Sequence, residues 1–144
     1  MIITAIVAFK LQNKKRAENG EEQYTLKEFL NNGKGTPSAD TVLFGALFGL
    51  IFGIVDNSTL WLGMSSLTPI FNRHPLTSGT NTTAGLGNTY GDFLGSTFGT
   101  FILIIIKSLY KGDIGNQPVW ADSIGVTIGC LIGVYLPRLA TGKK

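Results

Sequence analysis

The chain reads as an all-α membrane protein: about three glycine-zipper transmembrane helices, a polar N-terminal segment and one long polar loop. Three observations predict this class. Glycine recurs at four-residue spacing inside apolar runs: Gly45, Gly49 and Gly53; Gly91, Gly95 and Gly99, with Gly87 one step before; and Gly125, Gly129 and Gly133. Residues four apart share one face of a helix, so each run pairs a bare glycine groove with a bulky face of Leu, Ile and Phe. An interior glycine costs about 1 kcal/mol against alanine in a helix, whereas in lipid small residues let backbones approach and pack. The third observation is charge. Only 15% of residues are charged, against about 25% in soluble domains, and ten of the 21 charges lie between Lys10 and Lys34.

Two segments follow from this distribution, 1–40 and 41–144. Met1 to Phe9 is apolar but shorter than the ~20 residues a helical span needs. Its positive charges, Lys10, Lys14, Lys15 and Arg16, follow the apolar stretch instead of preceding it as in a secretory signal. Residues 1–16 are therefore expected to stay uncleaved and to form an interfacial helix or a longer helix dipping partly into lipid. Glu21 to Leu30 is expected to form a short amphipathic turn with Tyr24, Leu26, Phe29 and Leu30 inward. Asn31 to Pro37 is rich in turn formers, and Ser38 or Asp40 supplies the cap of the next helix.

The first span is expected at 41–55, ending at Asp56-Asn57, with Trp61 at the headgroup level. Residues 56–91 are expected to be the long polar loop, rich in Ser, Thr, Asn and Gly and carrying Pro69 and Pro75. The second span covers 92–110, with Asp92 as its cap and Lys107 and Lys111 at its end. The third covers 119–136 between Trp120 and Tyr135, with Asp122 as a cap and Pro137 as its stop, followed by Arg138, Lys143 and Lys144. Asp92-Phe-Leu-Gly-Ser-Thr-Phe-Gly99 echoes Asp122-Ser-Ile-Gly-Val-Thr-Ile-Gly129, which a shared packing requirement explains as well as duplication. The six Lys/Arg before the first span favour a cytoplasmic N-terminal segment.

Chemistry is sparse. His74 and Cys130 are each the sole residue of their type, so no disulfide within the chain, histidine metal pair or catalytic triad can be built. Asp56, Asp92, Asp113 and Asp122 have no metal-ligand spacing. Gly85 to Gly91 lacks the strand and the Gly-Lys-Ser/Thr ending of a phosphate loop. A net charge of +3 without a basic aromatic stripe gives no case for nucleic acid. Asn57-Ser-Thr and Asn81-Thr-Thr match the glycosylation pattern. The expectation is a non-enzyme without cofactor or metal whose nine glycines are helix-packing residues. A small pore lined by Thr97, Thr100 and Thr127 is the alternative.

Gly53-Ile-Val-Asp-Asn57, Leu60-Trp-Leu-Gly-Met64, Leu76-Thr and Ala84-Gly-Leu-Gly-Asn-Thr-Tyr-Gly-Asp-Phe-Leu-Gly95 together resemble small membrane-associated minor capsid proteins of large icosahedral DNA viruses, the algal chlorovirus group and its relatives. The resemblance covers roughly residues 45–106. It implies a structural component of the virion's internal, host-derived membrane, lying beneath the capsid shell. The implied partners are the lipid bilayer and other capsid or membrane proteins, and glycine grooves also permit self-association.

Overall fold

The computed structural model describes residues 2–112 and 114–142; Met1, Asp113, Lys143 and Lys144, the last two belonging to the expected basic tail, lie outside the described residues. Among the described residues the chain is helical with no strand. It forms α1 (Ile2–Glu18), α2 (Leu26–Leu30), α3 (Ala39–Phe71), α4 (Thr80–Leu109) and α5 (Val119–Thr141). Three stretches are long and apolar enough to cross a membrane: Ala39–Met64, Thr80–Leu109 and Val119–Thr141.

α3 is the centre of the bundle, and both α4 and α5 pack against it. Matching contacts fix the directions. Gly45 stands beside Ala121, Gly53 beside Cys130 and Gly133 beside Asn57, so α5 runs parallel to α3. Gly87 stands beside Met64, Gly91 beside Asp56, Gly95 beside Phe52 and Gly99 beside Phe48, so α4 runs antiparallel. The starts of α3 and α5 thus share one end of the bundle with the close of α4. We call this end basal, and the end carrying the α3–α4 turn distal.

Two boundaries differ from the sequence expectation. The expected 56–91 loop is mostly helix: α3 continues to Phe71 and α4 begins at Thr80, leaving only 72–79 as the turn. Leu60, Met64 and Gly87 keep the α3–α4 contact going past the apolar run, and tertiary contact outweighs loop-like composition. Asp56 and Asp92 consequently sit within helices instead of ending or capping them; Gly79, with φ 103, precedes α4. Asp122 falls in the first turn of α5, after Pro118 at the N-cap, where its charge suits the helix dipole.

The second difference is Pro137, expected to stop the third span, which lies inside α5. A proline there removes the N–H that would bond the carbonyl four residues earlier. That carbonyl belongs to Gly133, and Ser58 Oγ on α3 donates to it instead (3.3 Å). The helix runs on to Thr141 and closes on Gly142 in the left-handed conformation (φ 63).

The N-terminal segment is tied to the basal end. Thr25 and Glu28 cap α2 reciprocally: Thr25 Oγ1 accepts from the Glu28 N–H and the Glu28 carboxylate accepts from the Thr25 N–H. Asn32 Nδ2 donates to the Gln117 carbonyl (3.3 Å) and Trp120 Nε1 to Asn31 Oδ1 (3.4 Å). Ser38 caps α3 through the Thr41 N–H, and Thr41 Oγ1 donates to the Ile114 carbonyl (2.8 Å). α1 hangs from this platform by Asn13 on Tyr24 and by the Phe9–Phe29 ring contact (5.4 Å). Leu26 and Leu30, expected inward, are exposed, because five residues of helix cover only the face that carries Phe29, and that only in part.

Candidate functional site

Burial concentrates on the glycine rows. The buried positions of α4 are Thr83, Gly87, Gly91, Gly95 and Gly99, and those of α5 are Ala121, Gly125, Gly129, Gly133 and Pro137. Phe44 and Ala121 are the buried apolar side chains. The large apolar residues point outward instead: Phe93 is 65% exposed, Phe101 60% and Leu131 55%. This inverts the pattern of a water-soluble domain, where contiguous apolar patches of this extent are rare.

The α3–α5 contact is made between backbones. A Cβ added at Gly125 would overlap the Ala46 carbonyl oxygen, and one at Gly129 the Leu50 carbonyl oxygen. From the α3 side, a Cβ at Gly53 would lie 2.6 Å from the Cys130 nitrogen, and one at Gly49 2.5 Å from the Asp122 carbonyl oxygen. Gly45 and Gly133 are slightly looser, 2.9 Å from Ala121 Cβ and 2.7 Å from the Ile54 oxygen. The α3–α4 contact is different in kind, because α3 contributes side chains to it. Gly95 and Gly99 receive Phe52 and Phe48, at 3.1 and 3.2 Å from the virtual Cβ, and these two rings stack 6.2 Å apart. The Asp-x-x-Gly-x-Thr-x-Gly echo therefore serves two helices that pack on α3 in opposite directions.

All nine singled-out glycines face α3 or are faced from it. The polar residues around them were not singled out as a group. Asp56 is 6% exposed, between α3 and the Gly91 and Gly95 surface of α4. Its Oδ2 accepts from Asn57 Nδ2 (3.2 Å); its Oδ1 has no hydrogen-bond partner. Asn57 Nδ2 also donates to the Gly53 carbonyl (3.3 Å), so this glycosylation-pattern asparagine is engaged inside the bundle, whereas Asn81 is exposed. No group of three or more His, Cys, Asp or Glu suited to a metal occurs among the described residues.

Four hydroxyls on the outer faces are satisfied within their own helices. Ser96, Thr97, Ser108 and Thr127 each donate to the carbonyl four residues back, at 2.7 to 2.8 Å. Aromatic residues with polar tips gather at two heights. Tyr110 packs its ring on Phe44 (4.7 Å) and donates to Asp40 at the basal end, where Trp120 also sits. Trp61, Tyr90 and Tyr135 fall near one another in height along α3, given the pairings of Gly91 with Asp56 and Gly133 with Asn57. From Phe44 to Trp61 the helix rises about 26 Å. Compared with known proteins, the chain matches no family model, no curated protein and no solved structure.

Proposed function

We propose that this chain is a structural protein of a membrane-containing virus particle, anchored in the internal, host-derived membrane and joining it to the overlying shell. The observation that carries the reading is the extent of the helices relative to the two aromatic levels. Those levels are spaced close to the ~30 Å hydrocarbon core, and Trp and Tyr favour such interfaces. α3 then continues from Trp61 to Phe71, about 15 Å further, and returns through α4. The result is a continuous helical post on the distal side of the bilayer. On the basal side stand α2, the 31–38 turn and α1, with Lys10, Lys14, Lys15, Arg16, Lys27, Lys34, Lys107 and Lys111.

The glycine rows are the glycine zipper that makes this post rigid. Lipid gives no hydrophobic drive for helix association, so close packing of backbones has to supply it. The outer Leu, Ile and Phe face lipid, and Ser96, Thr97, Ser108 and Thr127 do so at little cost because their hydroxyls are already bonded to their own helices. The same bonding removes the need for a water-filled lumen beside Thr97 and Thr127. The resemblance of residues 45–106 to chlorovirus-type minor capsid proteins supports capsid proteins as the partners proposed for the post.

Purified particles stripped of their shell test the proposal. The chain should stay with the lipid fraction and be present at a regular number of copies per particle. Its absence from particles, or its release as a free soluble protein, overturns the assignment.

A further inference from the structure

Asp56 is an ionisable group placed at the edge of what the bilayer reading makes hydrocarbon. It lies five residues, about 7 Å, before Trp61 and level with Tyr90, whose neighbour Gly91 covers it, so it sits at the inner edge of the distal aromatic level. Ionisable residues within a span mark functional sites by default, and this one has specific surroundings. It is 94% buried (6% exposed), and no ion pair among the described residues includes it. The virtual Cβ of Gly91 would overlap Oδ1, so the bare backbone of α4 closes directly over that oxygen. Oδ1 is also the buried side-chain oxygen without a partner.

We propose that Asp56 is an intramembrane proton-binding site. An ionised carboxylate with an unpaired lone-pair oxygen is severely penalised in a low-dielectric interior, and a proton on that oxygen removes the charge without needing another side chain. A metal cation fits worse. It would need several oxygen ligands, but the nearest polar side chain presents N–H. Asn57 Nδ2 is fixed in that orientation because it also bonds the Gly53 carbonyl, which can only accept. The charged or titratable groups facing Asp56 include no cation among the described residues. Asp92 on α4 adds like charge, and Cys130 on α5 offers no positive charge. With the proton bound, Gly91 and Gly95 seat on α3; with it lost, the repelled carboxylate has to reach water, and α4 must give way at this level.

The test is labelling of the full chain in lipid vesicles with a hydrophobic carbodiimide, which adds to a protonated carboxyl and leaves a stable adduct that peptide mass spectrometry can locate. The expected result is an adduct on Asp56 that declines as pH is raised, about tenfold per unit at its steepest, and is unchanged by sodium. Asp56→Asn should abolish it, while Asp92→Asn leaves it in place. Protection by sodium at constant pH would assign the site to a cation and overturn the proposal. An absence of adduct on Asp56 at every pH at which the chain stays folded would overturn it too, since a proton-binding carboxyl is neutral over part of that range. The inference rests on the membrane reading. Equal labelling of Asp56 by a water-soluble carbodiimide would overturn that reading and the proposal together, whereas a null result with both reagents overturns the proposal alone.

Discussion

At Gly125 the missing side chain decides whether two helices can touch. A single methyl there would overlap the Ala46 carbonyl oxygen, a backbone atom that cannot swing aside. Gly125→Ala should therefore destabilise the α3–α5 contact by at least the 1–3 kcal/mol of ordinary overpacking, and Gly129→Leu by more. Gly85 is the internal control, because nothing lies within 4 Å of a Cβ placed on it. Gly85→Ala should be neutral or stabilising, by up to about 1 kcal/mol from helix propensity. Thermal unfolding in detergent or vesicles compares the variants, and equal behaviour of Gly125→Ala and Gly85→Ala would show that the groove is not a contact surface. A second residue-scale prediction concerns Ser58. Its hydroxyl bonds the Gly133 carbonyl that Pro137 leaves open. Ser58→Ala should cost about 1–3 kcal/mol for a buried acceptor left unmade, and the Ser58→Ala, Pro137→Ala pair should cost less than the single change, because the helix can then bond its own carbonyl.

Among the elements, α2 is closed by a reciprocal capping box. The Thr25 N–H and hydroxyl bond the Glu28 carboxylate, and these bonds hold its pKa below the ordinary carboxylate value. A depressed folded-state pKa stabilises at pH values above the unfolded one and loses that contribution as pH falls through the folded one. The α2 cap should therefore persist at neutral pH and fail on acidification to below the ordinary glutamate range. Trp120 reports it, since its indole N–H bonds Asn31, the C-cap of α2. In a Trp61→Phe background the Trp120 emission should shift on acidification. Glu28→Ala should show the shifted emission already at neutral pH, and Glu28→Gln, which preserves a capping box, should not. Across the basal face Lys34 pairs with Glu22, which holds the lysine pKa above its ordinary value; both side chains are solvent-exposed, so the pair adds little stability.

The elements also show what the residues alone could reveal. Four-residue glycine spacing marked the buried face of each long helix, because that period is close to the helical repeat and small residues have a single obvious use in lipid. Helix length was not legible in the same way. Asn57 to Thr68 and Thr80 to Tyr90 have the composition of a loop, and it is the α3–α4 contact, through Leu60, Met64 and Gly87, that keeps them helical. Pro137 looked like a stop because the Ser58 hydroxyl that answers its lost hydrogen bond is 79 positions away in sequence. Asp56 looked like a terminator for the same reason: nothing local says that Gly91 will cover it.

For the whole molecule, parallel α3 and α5 with antiparallel α4 put both basal connections on one side. Eight of the 12 Lys/Arg lie there, so the basal face should be cytoplasmic by the positive-inside tendency. In a Cys130→Ala background, Ser78→Cys in the distal turn should react with a membrane-impermeant maleimide from the side opposite to Glu18→Cys. Reaction of both from one side would rule out an odd number of crossings. Behind orientation stands the central claim, that three helices meet along glycine rows within lipid, α3 and α5 backbone to backbone. Solid-state NMR of the unmodified chain in vesicles, with glycine Cα and Ala and Leu carbonyl carbons labelled, tests it most directly. Short-range cross-peaks linking Gly125 to Ala46 and Gly129 to Leu50 are the predicted result. Their absence, in spectra where contacts within each helix are strong, would contradict the account.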